Sequence, residues 1–141
     1  MTAFLTFPDL EAVVRKTIAN AGYRAYSSIP RTPQWPLCVI TRAGGYAAVR
    51  RYLDAPNIQV DIWGGAKGDV TPIQKSVLQD MMQDVRVKIL NLEGKKITDP
   101  VSAWISGVED GSAQWLPDDQ TGRERYVIIF TVFGRSLLPG E

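Results

Sequence analysis

Ile58-Gln-Val-Asp-Ile-Trp-Gly-Gly-Ala-Lys-Gly-Asp-Val-Thr-Pro-Ile-Gln74 decides the fold class. Ile58, Val60 and Ile62 alternate with Gln59 and Asp61, so the segment reads as a strand with one apolar and one polar face. After the glycines, Thr71 can cap a helix, Pro72 suits its first position and Gln74 completes a Thr-x-x-Gln capping box. Ile73, Val77, Leu78, Met81 and Val85 continue as an apolar stripe, with Asn91 or Gly94 as the expected end. A half-buried strand leading into an amphipathic helix predicts a helix packed on a sheet.

The same stretch has the outline of a phosphate loop, but the Gly-x-x-x-x-Gly-Lys-Ser/Thr spacing is missing. Pro72 also removes an N–H from the turn where an anion would bind. Gly64 to Gly68 therefore reads as a turn into a capped helix.

Upstream, Leu10, Val13, Val14, Thr17, Ile18 and Ala21 recur at helical spacing, predicting a helix over 8–21 with Pro8 in its first turn and Gly22 at its end. A strand is expected in Tyr23 to Ile29. Pro30, Pro33 and Pro36 then impose an extended loop that carries Trp35. Leu37 to Arg42 reads as an interior strand, and Gly44-Gly45 as the turn after it, with Val49 to Leu53 continuing or pairing with that strand. Downstream, Val101 to Val108, Ala113 to Leu116 and Arg125 to Phe133 read as three strands. Asp110-Gly111 is a hairpin signal between the first two, and Pro117 to Gly122 an exposed loop. No residue repeat or long linker divides the chain. Residues 1–141 read as a single α+β domain, a mostly antiparallel meander with two amphipathic helices on one face.

Of the 141 residues, 45% are apolar and 22% charged, a composition that supports a packed core. The formal charge of +1 gives no global attraction for nucleic acid or anionic membrane. No apolar run is long enough to cross a bilayer, and no secretion signal is evident, so a soluble chain is expected. Cys38 is the one cysteine and lies in an apolar run, which suits a packed thiol and a reducing compartment.

The chain contains no histidine, which removes the usual imidazole base, acid and zinc ligand. No catalytic residue and no cofactor is expected, and Glu109-Asp110 and Asp118-Asp119 lack calcium-loop spacing. Arg42, Tyr46, Arg50, Arg51 and Tyr52 interleave cations with aromatics. Adjacent arginines face opposite sides of a strand, however, so an exposed strand or a bridge to a neighbouring subunit is the simpler reading. In Tyr126 to Phe133, Tyr126, Ile128, Phe130 and Val132 share one face while Val127, Ile129 and Phe133 share the other. Two helices cover only one sheet face, so the second needs a folded-over sheet or another subunit. Tryptophan is enriched at interface hot spots. The interface candidates are therefore Trp35, Arg50, Arg51, Trp63, Trp104 and Phe130, with Trp104 on the face opposite Ile105.

The order of elements, with Ile58-Gln-Val-Asp-Ile-Trp-Gly64, a Lys-bearing loop and an amphipathic helix at its centre, resembles tail terminator and tail-completion proteins of long-tailed phages. That resemblance implies a virion structural protein that assembles into a homo-oligomeric ring, usually hexameric. The ring terminates the tail tube and meets the head-side connector protein. It further implies a place at the tail end or neck after synthesis in the host cytoplasm, with no membrane, no specific nucleic acid and no active site to transfer. Head-side neck adaptors or stoppers share a similar small architecture, and a small nucleic-acid-binding module is the remaining alternative.

Overall fold

The computed structural model describes residues 7–50, 53–65, 75–138 and 140–141, with the backbone alone over 46–50. The elements run α1 (Leu10–Asn20), β1 (Ala25–Tyr26), β2 (Leu37–Arg50), β3 (Leu53–Trp63), α2 (Lys75–Leu90), β4 (Lys95–Ile97), β5 (Ala103–Trp115) and β6 (Arg125–Ser136). They form one six-stranded sheet in the order β1-β2-β3-β6-β5-β4. Every neighbouring pair is antiparallel except β1 with β2, which is parallel. The expected α+β class with two helices and a mostly antiparallel sheet is what the chain adopts, though it is not a simple meander.

Each half of the chain repeats one layout: a helix, a short strand, then two long strands. The halves meet along the central β3–β6 pair, which puts β2 and β5 in equivalent places on either side of it. The repeat is one of architecture, which explains why no repeated residue pattern announces it.

Both helices pack on the same sheet face. Leu10, Val13, Val14 and Ile18 of α1 and Leu78, Met81, Met82, Val85 and Ile89 of α2 share a core with Ile40, Ile58, Val60, Ile62, Ile105, Ile128, Phe130 and Val132. The alternation Ile58, Val60, Ile62 inward holds, and each of these is fully buried.

Several boundaries differ from the expectation. Helix α1 begins at Leu10, because Asp9 caps it: its carboxylate accepts the Ala12 N–H at 3.0 Å. Proline has no side-chain acceptor, so Pro8 precedes the cap instead of opening the helix. The helix ends at Asn20, with Ala21 as its C-cap, followed by Gly22 with φ of 98°. Of Tyr23 to Ile29, only Ala25–Tyr26 is strand. The Thr71, Pro72 and Gln74 cap, like Ile73 and Lys67, lies outside the described residues. Val77 is 49% exposed, so it is not part of the stripe, while Met82 and Ile89 are. The short strand β4 was not anticipated.

Two glycine-bearing dipeptides read as turns, Gly44-Gly45 and Asp110-Gly111, are bulges within long strands. Along β2, the four residues from Arg42 to Gly45 oppose the three along β3 from Ile58 to Pro56, so one residue is extra and the strand continues. Gly45 has φ of 124°, and a Cβ there would sit 2.5 Å from the Asn57 nitrogen, so only glycine fits. Likewise, Asp110 to Ala113 on β5 opposes Phe130 to Ile128 on β6, and β5 is one strand where two with a hairpin were expected. A Cβ on Gly111 would collide with the Ile129 carbonyl oxygen. Close backbone approach, rather than chain reversal, is what glycine supplies at both places.

Candidate functional site on the helix-free face

Residues paired across antiparallel strands share a face. The register therefore assigns the face turned away from the helices. Leu37, Trp63 and Arg125 form one row, and Val39, Asp61, Val127 and Gln114 the next. Thr41, Gln59 and Ile129 follow, then Asn57, Thr131 and Glu109, and finally Leu53, Arg135 and Trp104 at the far end. Phe133 shares this face by alternation.

The polar groups of the face bond to one another. The Gln59 amide donates to Asp61 at 2.9 Å, and the Thr131 hydroxyl donates to Asn57 at 2.8 Å. The apolar groups flank this polar strip. Val127 is largely buried, Ile129 is 39% exposed, and Trp63, Trp104 and Phe133 are half-buried.

At one end, two arginines lie over two tryptophans: Arg123 over Trp35 at 3.9 Å and Arg125 over Trp63 at 4.7 Å. Each guanidinium is also anchored to backbone, Arg125 to the Leu116 carbonyl at 2.9 Å and Arg123 to the Gly64 carbonyl at 3.4 Å. The proline-rich loop is thus tied down through Trp35. Planar guanidinium over indole is a rigid, amphipathic combination of the kind that anchors protein contacts. At the other end, Arg135 makes paired hydrogen bonds of 2.9 and 2.8 Å to the Glu141 carboxylate, which also accepts the Leu138 N–H at 2.8 Å. Those bonds, the one from Arg135 foremost, hold the Glu141 carboxyl down at about 2.

Of the residues singled out from sequence, the structure places Trp63 and Trp104 on this face and Trp35 beside it. Phe130 does not belong there. It is fully buried against the helices, because strand alternation gives its neighbour Ile129 the opposite face. Arg50 is placed by its backbone alone, and Arg51 lies outside the described residues. Sequence reasoning put Ile129 on the face opposite Phe130 without naming it an interface candidate. It missed Arg123 and Arg125, whose aromatic partners are distant in the chain.

Among the described residues, the chemical alternatives gather no constellation. Asp110 is bonded to Arg86 of α2, and Asp118 accepts from the Thr121 hydroxyl at 2.6 Å and the Gln120 N–H at 3.4 Å. The Thr121 bond holds the Asp118 carboxyl below its ordinary value. Among the described residues, no three His, Cys, Asp or Glu side chains are grouped to hold a metal ion. Burial pushes the Cys38 thiol up to about 12, which keeps it protonated and unreactive. A groove of about 670 Å³ between the helices and β4 is lined by Lys16, Lys88 and Lys95 together with Asp84 and Asp99. Its lysines are offset by nearby aspartates, Lys16 with Asp99 at 3.8 Å and Lys88 with Asp84 at 4.0 Å. No described helix is long and apolar enough to cross a membrane.

No family model matches this chain, and no curated protein matches it.

Proposed function

We propose that this protein is a structural subunit that assembles with copies of itself into a ring, in the manner of phage tail terminators. In that role the ring closes a tail tube and meets a head-side connector. The observation that carries the reading is strand β6. It is apolar on both faces, yet the chain's own helices cover only the Tyr126, Ile128, Phe130 and Val132 side. Val127, Ile129 and Phe133 face the other way, flanked by Trp63 and Trp104. Apolar and aromatic groups around a satisfied polar strip compose an interface of ordinary character. The resemblance carried by Ile58 to Gly64 supplies the kind of assembly. Such a role requires no chemistry, in keeping with a chain that has no histidine.

Mass measurement in solution, paired with negative-stain imaging in the presence of tail tubes, tests the proposal. Rings alone or on tube ends support it. A strict monomer at high concentration, with bare tube ends, overturns it.

A further inference from the structure

Among the described residues, both margins of the sheet are largely uncovered. β1 pairs with β2 only at Cys38 and Val39, and β4 pairs with β5 only from Ala103 to Ile105. Beyond these, β2 runs on to Arg50 and β5 to Trp115, with no further described strand beside either. Arg42 to Gly45 on one margin and Glu109 to Ser112 on the other are exposed.

The hydrogen-bonding direction of each residue follows from the ladders. Leu116 N–H donates to the Arg125 carbonyl, so along β5 the backbone groups of Gln114 turn toward β6 and those of Ala113 and Trp115 turn outward. Cys38 N–H donates to the Arg24 carbonyl on the β1 side, so Arg42, four residues on, turns its backbone groups outward from β2. The β5 margin is partly blunted, since the Glu93 carboxylate accepts the Val108 N–H at 3.4 Å and the bulge follows. Ala113 and Trp115, past the bulge, have no outward backbone partner among the described residues.

The two margins also differ in charge. β2 carries Arg42 and Arg50 and no acidic residue, while β5 carries Glu109 and Asp110 and no basic one. Arg42 is committed to Asp54 and Asp110 to Arg86; Glu109 is exposed, with no charged partner among the described residues, and the β2 sequence ends on a second arginine, Arg50.

We infer that the β2 margin of one copy pairs with the β5 margin of the next, joining the sheets of successive subunits by strand addition. The occupant of each edge is a second copy of this chain. The inference rests on the ring reading and names its contact. Because the two edges are different surfaces on opposite sides of one sheet, the pairing is head to tail, the kind of contact that closes into a ring.

Charge exchange tests it, with circular dichroism confirming that each variant folds. Glu109→Arg and Arg50→Glu should each weaken assembly about tenfold, and the double variant should restore it. In the wild-type ring, amide hydrogen exchange at Ala113 and Trp115 should slow relative to the free subunit. Rings that form normally in both single variants without slowed exchange overturn the edge pairing and leave the ring reading standing. Impairment that the double variant does not relieve places the contact elsewhere and also overturns it. A wild-type protein that forms no ring, with or without tubes, overturns both.

Discussion

Ile129 and Phe130 are adjacent in sequence and opposite in consequence. Phe130 is fully buried among the helices, so Phe130→Ala should cost about 3 to 5 kcal/mol of stability in denaturant unfolding. Ile129 is 39% exposed, so Ile129→Ala should cost about 1 kcal/mol or less while weakening assembly. Tyr23 offers a second single-residue test. Its hydroxyl donates to Asp84 of α2 at 2.5 Å, and that bond, with burial and the aspartate charge adding to it, raises the phenol to about 12. A raised folded value means the contribution to stability is fully present below the ordinary value near 10 and is lost as pH rises through about 12. An ultraviolet tyrosinate titration should therefore show a late-ionising step that Tyr23→Phe removes.

At the scale of elements, helix α2 is the place where the inferred pattern needed correcting. Ile89→Ala, at a fully buried position, should destabilise by about 2 to 5 kcal/mol, whereas Val77→Ala, half-exposed, should stay within about 0.5 kcal/mol. Urea unfolding of the two variants side by side checks the assignment. For β5, Gly111→Ala should cost on the order of 1 to 3 kcal/mol, because the added methyl meets the Ile129 carbonyl oxygen and the bulge must shift.

Those examples show what was legible in the chain. Ile58, Val60 and Ile62 announced their face because alternation is a local signal. So did the two sides of Tyr126 to Phe133. Gly44-Gly45 and Asp110-Gly111 misled because glycine serves chain reversal and close backbone approach alike, and only the partner strand distinguishes them. The parallel β1–β2 pair, the three-residue β4 and the Arg–Trp contacts depend on residues far apart in sequence, so no window of the chain displays them. Trp104 lies on the face opposite Ile105, as alternation indicated, and the register puts Trp63 on that same face. Phe130 failed because apolar character on both faces does not say which face the helices take.

The whole molecule divides its surface unequally. One sheet face lies under two helices, and the other presents the polar strip between Trp63 and Trp104. Trp104→Ala should leave the thermal unfolding midpoint within a few degrees of wild type and still lower the fraction of subunits in rings, as read by native mass measurement. Equal assembly by wild type and variant would remove Trp104 from the contact.

The layout shared by residues 10–63 and 75–136 bears on how the chain comes to be folded at all. Either half in isolation is a helix over a three-stranded sheet whose innermost strand, β3 or β6, lacks its neighbour. That strand would offer bare backbone and half a core to solvent. If the chain were cleaved in the connection before α2, each fragment would be the other's missing partner. The severed halves should stay associated as an obligate heterodimer and come apart only on unfolding.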